Sequence, residues 1–184
     1  MTTRAQAGRP LPDLTVLRGI EMLLLDVDGV LTDGRIHFDG EGREFKSFHV
    51  HDAAGLVYWR RSGKRAGFLS GRGGEVVAAR GRELKLDEVV LERHDKGAAF
   101  GEILARQGLS PRQVAYCGDD LLDLPVLREV GLACTVPEAR AEVAAIAQFV
   151  TTRSGGFGAA RDIVELLMRA QGTWAAVVQK DGLP

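Results

Sequence analysis

Met22-Leu23-Leu24-Leu25-Asp26-Val27-Asp28-Gly29-Val30-Leu31-Thr32-Asp33-Gly34 is the stretch that decides how this chain folds. Its first four residues are apolar and flanked by polar ones, which spells a short buried strand. The strand runs into two carboxylates one residue apart, then a glycine, then a loop. Side chains two apart on a strand share a face, so Asp26 and Asp28 can both reach one small ligand past the strand end. Two acids beside an apolar strand repel each other unless something positive sits between them. A divalent metal with oxygen ligands is the simplest candidate, and the rest of the chain has to supply the other half of its site.

Outward from this stretch, apolar runs alternate with helical patterns. Residues 35–38 and 44–50 alternate on either side of Asp39-Gly40-Glu41-Gly42 and predict a β-hairpin. Asp52 opens a helix through about residue 61 that stops near Gly63. Residues 65–69 are a second buried strand, ending in Ser70-Gly71-Arg72, and a helix with Val76, Val77 and Ala79 inward follows. Residues 87–91 make a third strand. Asp95 caps a helix over 96–107, with Ala99, Phe100, Ile103 and Leu104 on its apolar face and Gly108 at its end. Residues 113–117 are a fourth strand, ending in Gly118-Asp119-Asp120, and Pro125 fits the first turn of the next helix. A fifth strand over 132–136 precedes a short Ala-rich helix from Pro137. A last strand spans 148–151, and a final helix runs from about 158 to 170. Upstream, Asp13 caps a short helical turn.

Strands alternating with helices predict an α/β fold: a three-layer, Rossmann-like parallel sheet with helices on both faces, plus a small β-hairpin flap. Ligands of such sheets bind at the carboxyl ends of the strands. The polar clusters lie there: Asp26 and Asp28, Ser70 and Arg72, and Asp119, Asp120 and Asp123. Lys96, at a helix start, joins them. The 184 residues suit one domain with a sizeable core. The chain divides into a mobile N-terminal tail over 1–12, a domain over 13–170 with the flap at about 34–50, and a C-terminal tail over 171–184. A net charge of −1 gives no bulk electrostatic support for nucleic acid or a membrane surface. No apolar stretch of about 18 residues is present, and residues 1–14 lack the apolar core of a signal peptide. Cys117 and Cys134, each in an apolar run, read as buried free thiols of a reducing compartment, so the expected location is cytoplasmic.

Three carboxylates at two strand ends make a hard-oxygen site of the kind Mg²⁺ takes. A hydroxyl (Ser70) and an ammonium (Lys96) converge from other loops, and such groups bind phosphoryl oxygens. An aspartate can accept a phosphoryl group, and a second acid two residues on can protonate the leaving alkoxide and then activate water. Each residue also has a plainer reading. Ser70 and Asp123 can cap helices, Arg72 can be a surface charge, His49 and His51 can be hairpin and loop residues, and Gly155-Gly156 with Gly158 permits a tight turn before the last helix.

Taken together, DVDGVLTDG, LSGR, Lys96 and GDDLLDLP resemble the four motifs of the haloacid dehalogenase superfamily, in order and spacing, over roughly residues 22–170. The resemblance implies Asp26 as nucleophile and Asp28 as general acid/base. It implies Mg²⁺ held by Asp26, the backbone carbonyl of Asp28, and Asp119. Ser70 and Lys96 would hold the phosphoryl group, and Asp120 and Asp123 would support the metal shell and Lys96. An acid at position 28 favours phosphatases and mutases over dehalogenases. Neither gap between motifs holds a cap domain, which needs on the order of 50 residues or more. The chain is similar to the capless branch that contains the 3-deoxy-D-manno-octulosonate 8-phosphate phosphatases of lipopolysaccharide biosynthesis. The shared features include the hairpin with HVHDAAG and the SGGFGAARDIVELL segment. That branch implies a phosphorylated sugar acid as substrate, contacts from Gly29, Thr32, His51, Gly71 and Arg72, a homotetramer, and a tail with Trp174 reaching a neighbouring site. Two places depart from its pattern: His51-Asp52-Ala53 replaces Arg-Asp-Gly, and LERHDK before the lysine lacks a glycine. A phosphatase of a nine-carbon keto-sugar-acid 9-phosphate or of another small phosphate ester, and a non-catalytic oligomeric binding module, are the rival readings.

Overall fold

In a computed structural model of the chain, which describes residues 8–180, the apolar run forms β1 (Met22–Leu25), and all four side chains are fully buried. Alternation explains why: Leu23 and Leu25 enter the core on one face of the sheet, Met22 and Leu24 the core on the other. A strand apolar on both faces belongs at the centre of a parallel sheet, with both its edges paired. The other strands of this sheet are β4 (Arg65–Leu69), β5 (Glu88–Val90), β6 (Val114–Cys117), β7 (Leu132–Thr135) and β8 (Phe149–Val150). The order is β5-β4-β1-β6-β7-β8, all parallel. After β1 the chain fills one side, then crosses over to fill the other. The direction of strand order therefore reverses at β1, which opens a crevice at its carboxyl end.

Helices cover both faces. On one side α1 (Leu14–Arg18), α2 (Val50–Arg61), α3 (Glu75–Glu83), α7 (Ala159–Ala170) and α8 (Trp174–Lys180) pack around Leu56, Trp59, Ile163 and Leu167. On the other, α4 (Lys96–Gln107), α5 (Leu124–Leu127) and α6 (Ala141–Ala144) pack around Phe100, Ile103 and Val126. Each fully buried Leu, Ile or Phe contributes about 1.5–3 kcal/mol of transfer free energy. β2 (His37–Phe38) and β3 (Glu44–Phe45) form the antiparallel flap. The sheet with helices on both faces, the flap and the absence of a cap within the described residues match the fold read from the sequence. Cys117 and Cys134 are buried free thiols on paired strands. Among the described residues no helix is long and apolar enough to cross a membrane.

Several local features differ from the reading of the sequence. α2 starts two residues before Asp52, with the His49 ring accepting from the His51 N–H at 3.2 Å as its cap. Asp52 instead turns inward. It accepts from the backbone N–H groups of Gly158 and Arg161, at 3.2 and 3.0 Å, at the start of α7. That position satisfies orphan donors of a distant helix, which exposure on its own helix would not require. Residues 1–7 of the predicted N-terminal tail, and 181–184 of the C-terminal one, lie outside the described residues. Gly8 and Arg9 are tied to the carbonyls of Ala144 and Ala147 at 2.9 and 3.1 Å. Residues 174–180 form α8, folded on its own chain. Trp174 anchors it, edge-on to Tyr58 and with the Arg161 guanidinium 4.9 Å from its ring centre.

Candidate active site

The polar groups converge because β1, β4 and β6 end side by side. A cleft of about 290 Å³ opens there, lined by Asp26, Asp28, Gly29, Ser70, Gly71, Arg72, Lys96, Asp119, Asp120 and Asp123 among others. A larger cavity, of about 390 Å³, lies away from these carboxylates, beside Tyr58, Met168 and Val177.

Lys96 stands at the first turn of α4, where Asp95 caps the helix by accepting from the Ala98 N–H at 3.0 Å. Its side chain is buried, with Nζ 3.0 Å from Asp26 Oδ1 and 2.6 Å from Asp123 Oδ1. Burial pushes the ammonium toward the neutral form, but Asp26 and Asp123 outweigh it and raise the Lys96 pKa overall. Asp123 is completely buried and fully used as an acceptor. Its Oδ1 takes Lys96 Nζ and, at 2.5 Å, the Tyr116 hydroxyl; its Oδ2 takes the N–H groups of Asp119 and Asp120 at 2.9 and 3.1 Å. Asp123 therefore holds Lys96 and the 118–120 loop in register. Burial, then the nearby Asp123 charge, keeps the Tyr116 hydroxyl well above its ordinary pKa and so a donor.

Asp26, which has Lys96 beside its Oδ1, and Asp119 keep acceptor capacity that Asp123 has spent. Oxygen atoms of Asp26, Asp119 and Asp123 lie within 4.8 Å of one another. Burial, offset by Lys96 but reinforced by Asp123, raises the Asp26 pKa to about 6. Burial together with Asp26, Asp123 and Asp120 raises that of Asp119 to about 7. Asp119 Oδ1 is buried and accepts no hydrogen bond within the described residues. Buried charges without donors are costly, and a hard cation resolves the conflict. Gly29, at φ +87°, leaves the room: a Cβ there would sit 2.2 Å from Asp119 Oδ2. The donor set of Asp26 and Asp119, with Asp123 already saturated, fits a hydrated divalent ion.

The remaining predicted residues divide. Ser70 is buried at the end of β4, and its Oγ accepts from the Arg72 N–H at 3.2 Å. Gly71 and Arg72 line the cleft, whereas Thr32 is buried and is not among the residues that line it. The Thr32 hydroxyl accepts from the Gly34 N–H at 3.2 Å and sits 3.4 Å from Asp28 Oδ1, so it shapes the loop. Asp120 is exposed and caps the turn that follows, accepting from the Leu121 N–H at 2.8 Å. His51 does not join the cleft; it is exposed on the first turn of α2. The Gly155-Gly156 turn packs against the back of the first loop. A Cβ on Gly155 would lie 1.8 Å from the Gly29 carbonyl oxygen, and the Gly156 N–H donates to Val30 O at 3.0 Å.

Comparisons with known proteins point to one family. The haloacid dehalogenase-like hydrolase family matches residues 76–160. The chain is 37% identical to the 3-deoxy-D-manno-octulosonate 8-phosphate phosphatase KdsC of Salmonella typhi, over 86% of this chain and 85% of that protein. It is similar in structure to the 3-deoxy-D-manno-octulosonate 8-phosphate phosphatase of Moraxella catarrhalis, solved in complex with a magnesium ion, a phosphate ion and a KDO molecule. That likeness has a TM-score of 0.89 at 33% identity, over 92% of this chain and 97% of the other. The cobalt-bound enzyme of Haemophilus influenzae matches with a TM-score of 0.82 at 34% identity, over 85% and 92%.

The chain belongs to the haloacid dehalogenase superfamily. As a capless haloacid dehalogenase phosphatase it is a phosphomonoester hydrolase. Three groups at this superfamily site escaped the sequence reading. Tyr116 looks like one more apolar residue of a buried strand. His94, which also lines the cleft, sits in an irregular loop. Lys46 lies on the flap, with its ammonium against Asp28. The usable signal was the spacing of Glu44 and Lys46, which puts two opposite charges on one face of a hairpin strand.

Proposed function

We propose that this phosphatase hydrolyses 3-deoxy-D-manno-octulosonate 8-phosphate to the free sugar acid and phosphate, with Asp26 as nucleophile. The carboxylate of Asp26 attacks phosphorus, the bond from phosphorus to the sugar oxygen breaks, and Asp28 gives its proton to that oxygen. Water then attacks the phosphorus of the aspartyl phosphate and returns a proton to Asp28, which frees Asp26 and phosphate. Lys96, fixed by Asp123 and Tyr116, holds positive charge beside the Asp26 oxygen, and Ser70 binds a phosphoryl oxygen. Asp26, Asp119 and the backbone carbonyl of Asp28 would hold Mg²⁺, which supplies charge against the phosphoryl oxygens when bound.

The observation that carries the reading is the array of Lys96, Asp26 and Asp119 at the β1 switch point. Relatives named as phosphatases of this sugar acid, matched along most of the chain, support the choice of substrate. The exposed apolar flap residues Ile36, Phe38 and Phe45 support assembly into a homo-oligomer, which we take to be a tetramer, and the location we assign is cytoplasmic. The test is phosphate release with Mg²⁺ across a panel of eight- and nine-carbon keto-sugar-acid phosphates. The eight-carbon 8-phosphate should rank first in kcat/KM, and Asp26→Asn should release none. Equal release by wild type and Asp26→Asn would remove the mechanism; a nine-carbon 9-phosphate ranking first would move the substrate.

A further inference from the structure

Lys46 is a lysine on a short surface hairpin, yet its side chain is 1% exposed. Lysines are almost never fully buried unless paired, and removing an ammonium from water costs several kcal/mol. A hairpin of this length is marginal on its own, so a buried ammonium there needs a reason. Lys46 Nζ lies 2.5 Å from Asp28 Oδ1 and 2.8 Å from Glu44 Oε1. Glu44 Oε2 accepts from Arg72 Nη2 at 3.1 Å, and Arg72 Nε lies 3.5 Å from Asp28 Oδ2. These contacts close a ring of Asp28, Lys46, Glu44 and Arg72. Within it Lys46 is the buried cation and Arg72 the half-exposed one, so Lys46 sets the geometry. The Asp28 carboxyl is also absent from the cluster that Asp26, Asp119 and Asp123 form. Its oxygens are drawn toward the flap.

We propose that Lys46 is a positioning residue for Asp28: the flap, through the buried Lys46 ammonium and its partner Glu44, fixes the acid/base carboxyl where the departing sugar oxygen must be met. This rests on the reading of Asp28 as the proton donor. It assigns the flap a part in one chemical event, departure of the alcohol, and none in attack by Asp26. A proton donor has to lie within hydrogen-bond reach of the leaving oxygen, and misplacement by about 1 Å costs on the order of 100-fold. An unprotonated alkoxide is a poor leaving group, whereas p-nitrophenolate departs without help. The dependence on Lys46 should therefore follow the leaving group.

The experiment measures kcat/KM, which covers the steps up to departure of the alcohol, for Lys46→Met, Lys46→Arg and wild type. The two esters are p-nitrophenyl phosphate and whichever primary alkyl phosphate wild type turns over fastest, with saturating Mg²⁺. Lys46→Met keeps the length and apolar stem of the side chain. It should lose about 10- to 100-fold on the alkyl ester and less than about threefold on the aryl ester, with Lys46→Arg recovering part of the difference. Equal losses on both esters, or no loss on the alkyl one, would overturn the proposal. If Lys46→Met does not fold, the same ratio is read on Glu44→Gln/Lys46→Met, which removes both charges of the buried pair. Asp26→Asn is run alongside: full activity there would sink the underlying mechanism, independently of what Lys46 does.

Discussion

Substituting Asp119 by asparagine should stabilise the metal-free protein while removing the Mg²⁺-dependent activity proposed above. The carboxyl is half-buried, one of its oxygens has no donor within the described residues, and three acids surround it. Its pKa rises from an ordinary 3.8 to about 7. The folded state thus holds a proton that the unfolded state has released. Stability from this group is fully present below the unfolded value and falls as pH climbs toward 7. The full shift corresponds to roughly 4 kcal/mol, felt above pH 7 and only in part at pH 5. Asparagine carries no charge at either pH, so its advantage should grow with pH. For a domain of this size about 2–4 °C of melting temperature accompanies each kcal/mol, which predicts a gain of about 8–16 °C at pH 8 in chelator and a smaller one at pH 5. The assay is thermal unfolding of wild type and Asp119→Asn in EDTA at both pH values, repeated with Mg²⁺. Mg²⁺ should raise the wild type and leave the variant nearly unmoved. A variant that melts at or below the wild type at pH 8, or a gap that shrinks as pH rises, would refute the reasoning.

Asp123→Asn should act in the opposite sense. All its partners are donors, so an amide must turn its NH₂ toward one pair of them, and a loss of about 3–5 kcal/mol is expected in denaturant titration. Gly29→Ala combines a left-handed φ with a Cβ against Asp119. Calorimetric titration should show Mg²⁺ affinity reduced by tenfold or more, beside a stability loss of about 1–3 kcal/mol. Asp52→Ala removes the acceptor from the N–H groups at the start of α7 and should cost about 1–2 kcal/mol in thermal unfolding, with turnover per folded molecule within about twofold of wild type.

The parts of the site that could be read from the sequence are those in which an unusual residue type marks a strand end. Asp26, Ser70 and Asp119 each follow an apolar run, and the topology of a parallel sheet brings such ends together whatever the packing details. Lys96 and Asp123 gained meaning only in company, since each alone resembles a capping or surface residue. What stayed hidden depends on contacts between distant segments. Asp52 looks like the opening of its own helix, but serves a helix more than a hundred residues away. Tyr116 shows its role only through Asp123, and Lys46 only through Asp28. His51 stands where the family pattern has an arginine, and α2, which begins at Val50, places it on an exposed first turn outside the cleft. Local pattern carries the first kind of information, and no local pattern carries the second.

The seating of Gly155-Gly156 against the Gly29 loop has a consequence for the order of assembly. β1 and its acids are made more than a hundred residues before the turn that braces them from behind. Until it arrives, the loop holding Gly29 lacks its backing, and the repulsion between Asp26 and Asp119 has little to work against. Contacts between segments so far apart in sequence form late and slowly. A nascent chain halted before residue 155 should carry the acids of the site without the frame that makes them a binding loop, so the ability to hold a cation should emerge only once residues 155 and 156 have been made, as a cooperative step.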